Sequence, residues 1–192
     1  MANDEEEWDM YAPVLPATPP DGWTLENLPP DLPKHTELIR GALVMSPQKS
    51  WHLVIVRMLE GELLKQAPDA YRVLREMAVR KSPRSAPEPD ISIVRAEAFD
   101  LDKSVYLPQD IVLAAEVVSP ESEERDREDK PAMYAMMGIA SFWLIERGED
   151  DDPVVHEHRL VGDRFEWKRA HVGRLVTDVP FALDIPLRVP SR

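Results

Sequence analysis

The stretch Ile111-Val-Leu-Ala-Ala-Glu-Val-Val118 decides the fold: every residue but one is aliphatic, and the exception is a glutamate. A continuous apolar run of this length reads as a strand buried on both faces, so other elements must cover it on both sides. Side chains alternate across a strand, which places Val112, Ala114, Glu116 and Val118 on one face. An ionised carboxylate there costs roughly several kcal/mol unless a cation or hydrogen-bond donors compensate it. A buried salt bridge or an edge position would account for Glu116 equally well.

Outward from this strand, Asp90-Ile-Ser-Ile-Val94 and Tyr71–Arg80 read as strands separated by the Pro-rich turn Ser82–Pro89. Further towards the N-terminus, residues 49–67 carry apolar side chains at 51, 54, 55, 58, 59 and 63, the spacing of one helical face. Leu53, Val56 and Leu64 widen that face towards all-round burial, and Pro68 ends the helix. Glu37–Ser46 reads as a hairpin about Arg40-Gly41. In the other direction, residues 95–110 form a charged loop. Residues 121–138 are helical in composition, interrupted by Pro131 and stopped by Gly138. Ala140–Glu146 is a second buried strand, and Val154–Val161, Asp163–Val172 and Leu187–Pro190 read as terminal strands. This order of elements predicts an α+β fold, a mixed sheet with helices packed on it.

The chain has 192 residues and no cysteine, which excludes disulfides, thiolate zinc sites and cysteine nucleophiles. One domain over residues 34–192 is expected, preceded by an acidic, Pro-rich arm over residues 1–33. That arm holds seven prolines, eight acidic residues and no Lys or Arg. It reads as mobile or loosely docked, with a short turn at Thr24-Leu-Glu-Asn27. The net charge is −13, and the rest of the chain, with 28 acidic against 23 basic residues, keeps a net of −5. Such a surface offers no strong field for phosphate, which counts against tight non-specific DNA binding. No apolar run approaches the roughly 20 residues that span a bilayer. The N-terminus lacks the order of a secretory signal, so no membrane association and a cytoplasmic location are expected.

Asp90 opens its strand directly after Pro89, where an aspartate commonly serves a turn. Paired with Glu116 on a neighbouring strand, it supplies the oxygen ligands that magnesium or manganese prefer. Lys130 lies one helical turn after Asp126, so an Asp126–Lys130 pair would orient its amine, although a solvated helix face explains the same charges. Pro131 disfavours a helical conformation at Lys130. His52 reads first as a core histidine, with assistance to the site as the alternative. Arg72, Arg75, Arg80, Lys81 and Arg84 lead to Asp90 and either track a phosphate backbone or form an ordinary solvated surface. Phe142 and Trp143 read as core. His156 and His158 share a strand face with no third ligand to make them a metal site.

These features together resemble the Uma-two family of restriction-endonuclease-like proteins, within the PD-(D/E)XK nuclease superfamily. The resemblance runs from about residue 24 to 160. It is carried by Glu37-Leu-Ile-Arg-Gly-Ala-Leu43, His52, Pro89-Asp90, Glu116-Val-Val-Ser-Pro120, Asp126 with Lys130 and Tyr134, and Gly138-Ile-Ala-Ser-Phe-Trp143. It implies a helix, three strands, a helix and a strand, with Asp90 and Glu116 binding a divalent cation and Glu37 adding a carboxylate. The superfamily motif would place its lysine at 118, where this chain has Val118, and Lys130 is the substitute. The expected activity is magnesium- or manganese-dependent phosphodiester hydrolysis of DNA by a homodimer, with Asp90, Glu116 and Lys130 as catalytic residues. A non-catalytic binding or regulatory protein that keeps the fold is the alternative, and a closed pocket would favour a small phosphorylated metabolite.

Overall fold

The computed structural model describes residues 17–33, 35–45, 47–120 and 122–189. Strands β1 (Thr36–Ile39) and β2 (Ala42–Met45) form the expected hairpin, paired from Thr36↔Met45 to Ile39↔Ala42. Its two-residue turn puts Arg40 at φ 51° and Gly41 at φ 83°, the left-handed geometry that suits the twist of a tight hairpin. A Cβ at Gly41 would also lie 2.6 Å from the Arg84 guanidinium packed on the turn, which would have to move aside. Residues 17–33 lie against this hairpin. Trp23 is buried and donates its backbone N–H to Gly41 at 2.8 Å, and the Thr24–Asn27 turn closes through Asn27 Oδ1. Residues 1–16 of the acidic arm lie outside the described residues.

Helix α1 (Ser50–Gln66) buries His52, Ile55, Val56, Leu59 and Leu63. Leu53 and Leu64 were expected to widen that face, yet they point to solvent, because only one side of the helix meets the sheet. Strands β3 (Tyr71–Arg75) and β4 (Ala78–Val79) replace the single strand expected over 71–80. The break falls at Glu76, whose φ of 55° cannot continue a pleat. Strand β5 (Ile91–Arg95) follows the Pro-rich turn, and the loop after it contains β6 (Val105–Tyr106), paired parallel with β4.

Strand β7 (Ile111–Val117) is buried along its whole length. A wide turn over Arg125–Asp129 leads into α2 (Lys130–Met136), and then β8 (Ser141–Arg147) pairs parallel with β7. Strands β9 (Pro153–Val161) and β10 (Arg164–Val172) complete a six-stranded mixed sheet in the order β10-β9-β8-β7-β5-β3. A separate hairpin, β11 (Arg174–Thr177) with β12 (Leu183–Pro186), closes the described chain. Residues 187–189 of the expected terminal strand are not extended pairs. Their place is taken by β12, four residues earlier.

Two apolar clusters sandwich the sheet. On one side α1 packs on Ile91, Ile93, Leu113, Trp143 and Ile145, and on the other Tyr134 and Ile139 pack on Val94, Ala114 and Phe142. Each such fully buried aliphatic or aromatic side chain contributes about 1.5–3 kcal/mol. A bulge between Ile93 and Val94 and their partners on β7 leaves Val112 unpaired. It turns Val112 into the α1-side cluster, away from Ala114 and Glu116, with which simple alternation had grouped it. Phe142 and Trp143 are core, at 1% and 0% exposure. No helix is long and apolar enough to cross a membrane among the described residues.

Candidate functional site

Alternation along β7 after the bulge turns Glu116 towards α2, and it is fully buried. Its Oε1 accepts from the Tyr134 hydroxyl at 2.6 Å and its Oε2 from Lys130 Nζ at 3.0 Å. Lys130 Nζ lies also 3.2 Å from Glu37 Oε1 and 3.4 Å from Asp126 Oδ1. Lys130 is therefore the hub of three carboxylates, itself 6% exposed.

Local backbone chemistry makes this possible. Lys130 adopts αR dihedrals despite Pro131, because the turn before it is a π-turn whose last N–H, from Lys130, reaches back five residues to Arg125 O. The widened turn accommodates the proline ring that an ordinary helix interior would exclude, and Pro131 opens α2 where its missing N–H is not needed. The expected interruption at Pro131 is thus a start. Asp126, Lys130 and Tyr134 follow one another at four-residue spacing and face β7. Ser122 donates a short hydrogen bond to Asp126 Oδ2 and is linked to Ser119 Oγ at 2.9 Å.

Asp90 approaches from β5, one step beyond the Ile91↔Ala115 pair. Its Oδ2 accepts from the Val117 backbone N–H at 2.7 Å and lies 3.0 Å from His52 Nε2. Glu37 arrives from β1, where its Oε1 also accepts the Glu88 backbone N–H at 2.8 Å. The Leu38↔Ala86 bridge holds these two segments together. Asp90, Glu116 and Lys130, expected together, line one cavity of ≈ 20 Å³ with Asp126 and His52, expected as supports, and Glu37, implied by the resemblance. Such a volume holds about one water or one ion. Glu88, Glu76, His35, Gln48 and Ser122 line it too. Sequence reasoning did not assign these residues to the site, nor Tyr134. Tyr134 was legible from its spacing to Lys130, whereas Glu88 between two prolines carries no periodic signal.

The five basic candidates lie elsewhere. Arg75 pairs with Glu60 at 3.4 Å and Arg80 with Glu26 at 2.8 Å. Arg84 packs on Gly22 and Gly41, Arg72 binds backbone carbonyls at Asp69 and Tyr71, and the Lys81 N–H bonds to Ser85 O. On β9, His156 lies 2.9 Å from Glu146 and the His158 ring lies tilted against Phe142, apart from any metal-like arrangement among the described residues.

Charge in the cavity is unbalanced. Burial pushes the Glu116 carboxyl well up, with Lys130 opposing and Asp90, Asp126 and Glu37 adding to the rise. Burial, opposed by Lys130 and by the Ser122 hydrogen bond, also raises Asp126. Glu88 is pushed up to about 7 by burial and then by Glu37. Burial works against the ammonium of Lys130, but Glu116, Glu37, Asp126 and Asp90 together overcome it and hold the lysine charged. These groups titrate as one coupled set, in which the lysine keeps its proton and the surplus carboxyls gain affinity for theirs. Among the described residues, no three His, Asp or Glu side chains are arranged to grip a metal ion as they stand, since Lys130 Nζ sits among them. The donor set nevertheless suits a hard divalent cation: it is rich in carboxylate oxygen, buried Gln48 Oε1 accepts no hydrogen bond, and Asp126 Oδ1 has its 3.4 Å ion pair with Lys130 but no hydrogen bond.

Fold and site together define a nuclease-like α+β protein with a buried carboxylate–lysine cluster at the end of its central strands. The sequence profile of the Uma2 family, described as "Putative restriction endonuclease", matches residues 24–187. The chain belongs to that family. A solved structure described as a "putative nuclease belonging to DUF820" from Anabaena variabilis ATCC 29413 is similar in fold. It has a TM-score of 0.55 and 17% identity, covering 76% of this chain and 81% of that one. No curated protein matches.

Proposed function

We propose that this chain is a divalent-metal-dependent endonuclease that hydrolyses phosphodiester bonds in DNA, with Asp90, Glu116 and Lys130 as its catalytic residues. The observation that carries the reading is the convergence of Glu116, Lys130, Glu37 and Asp126 within hydrogen-bond and ion-pair distance, on a cavity that Asp90 also lines. Asp90 and Glu116, with Glu37 as a further carboxylate, would hold magnesium or manganese. When bound, that ion would supply Lewis acidity towards a phosphate oxygen and lower the pKa of a water.

The chain's own residues do the positioning. Tyr134 and Lys130 fix the two oxygens of Glu116. The Val117 N–H and His52 fix Asp90 from the strand and helix sides. Asp126, held by Ser122, steadies the amine of Lys130. The lysine then offers a fixed positive charge to the negative charge that develops on a phosphate in the transition state. A homodimer would present one such site to each strand of a duplex.

Calorimetric titration with magnesium and with manganese tests the reading. Binding by the native protein that both Asp90→Ala and Glu116→Ala abolish supports it and directs a screen of DNA substrates. No binding at millimolar metal defeats it.

One observation favours a second reading, a binding or regulatory protein that keeps the fold. Lys130 Nζ already satisfies Glu116, Glu37 and Asp126 from within, and the chain's net charge of −13 repels nucleic acid. The cavity of ≈ 20 Å³ is too small to enclose a phosphorylated metabolite.

A further inference from the structure

The outward face of α1 carries a pattern that the site does not use. Leu53 and Leu64 are 47% and 58% exposed, and Val54 beside them is 39% exposed. Single exposed leucines are ordinary; the arrangement around these two is not. At about 100° per residue, positions 53, 57, 60 and 64 fall on one narrow stripe of the helix. The stripe reads Leu53, Arg57, Glu60, Leu64, spaced by four, three and four residues.

That spacing is the same from either end, with opposite charges at the two inner positions. A two-fold rotation perpendicular to the helix therefore brings Leu53 opposite the partner's Leu64 and Arg57 opposite the partner's Glu60, each contact occurring twice. Arg57 makes no ion pair within its own chain among the described residues. Glu60 has only a 3.4 Å contact with Arg75, whose side chain is 44% exposed. Beside the stripe, Gly61 sits in the helix interior, where a Cβ would meet nothing within 4 Å. Glycine weakens a helix and nothing among the described residues requires one here, whereas a closely approaching second helix would.

We infer that two copies of this chain pair through α1, antiparallel about a two-fold axis. Leucine–leucine contacts close the two ends of the contact, Arg57–Glu60 pairs fix its register, and Gly61 allows the close approach. The inference stands apart from the nuclease reading, since none of these side chains lines the cavity. Two helices of this length bury less than the roughly 1,200–2,000 Å² of a standard interface, so the dimer depends on concentration.

Sedimentation velocity of the full chain over a range of concentrations tests it, with circular dichroism to confirm that each variant folds. The native chain is expected to shift from its 21.9 kDa monomer to twice that mass as concentration rises. The double variant L53E/L64E should stay monomeric. R57E and E60R alone should each weaken association about tenfold or more by placing like charges opposite one another, and R57E/E60R together should restore it to within about threefold of native. A native chain that is monomeric at every concentration overturns the inference. So does a dimer that L53E/L64E leaves intact, or a charge exchange that restores nothing.

Discussion

Two of the buried glutamates, Glu157 and Glu116, sit among charged partners arranged on opposite plans. Glu157 on β9 is 3% exposed, and cations or donors surround it: Arg159 and Thr177 at Oε1, His171 at 2.8 Å and Arg169 at 3.6 Å from Oε2. One carboxylate meets more than enough donors there, and the network knits β9, β10 and β11 together. Around Glu116 the ratio is inverted, because one lysine serves Glu116, Glu37 and Asp126 while Asp90 and Glu88 border the same cavity. A saturated network of the first kind holds strands in register. An under-compensated one of the second kind is what the proposed cation would complete.

The sharpest way to break this comparison is to remove the single cation. Lys130→Met is expected to cost about 3–5 kcal/mol, because it leaves three buried carboxyls facing one another. Urea unfolding measures it, and magnesium should raise the midpoint of the variant more than that of the native chain. A variant as stable as native would erase the distinction. Next, Glu157→Gln should cost about 1–3 kcal/mol and leave magnesium binding unchanged. Glu116→Gln, by contrast, should abolish metal binding with a change in stability under about 2 kcal/mol, since burial already favours the neutral acid. Calorimetry and denaturation on both variants give a crossed result if the two clusters differ in purpose.

Glu88 sharpens the contrast through pH. Its folded value of about 7 lies above its unfolded one. It therefore contributes stability at low pH that is lost as pH rises through 7. Glu88→Gln should remove that loss, so that native and variant stabilities converge below about pH 4.5 and the gap between them widens to about 1–3 kcal/mol by pH 7. The smallest effect is expected from Tyr134→Phe, about 1 kcal/mol in stability for one lost hydrogen bond to Glu116. A larger loss would mean that the hydroxyl, more than the lysine, holds the carboxylate.

The central strands were legible because their signal is local and dense. Ile111–Val117 is nearly pure aliphatic sequence, and a glutamate within it is anomalous on sight. The hairpin at Arg40-Gly41 and the span of α1 were equally plain, since turn chemistry and a helical period need no tertiary knowledge. Features decided by geometry between elements were not legible. Leu53 and Leu64 share the spacing of buried residues but face outward, because which arc of a helix meets the sheet is set by the sheet. The break at Glu76 and the bulge at Val112 likewise answer to partner strands. Of the site, Asp90, Glu116, Lys130, Glu37, Asp126 and His52 were named in advance, whereas Glu88 reached the cavity only through the path of the 82–88 segment against β1.

The wide turn at Arg125–Asp129 has one more consequence. It holds one residue more than an α-helical turn would, and that residue makes room for the Pro131 ring. Deleting a single residue there would leave an ordinary turn whose carbonyl meets that ring, and the lysine and tyrosine of α2 would be pushed off the glutamate they clasp. The composition of the site would be unchanged while its parts no longer met. Chain length at this turn is thus as strict a requirement as the identity of any side chain in the cavity.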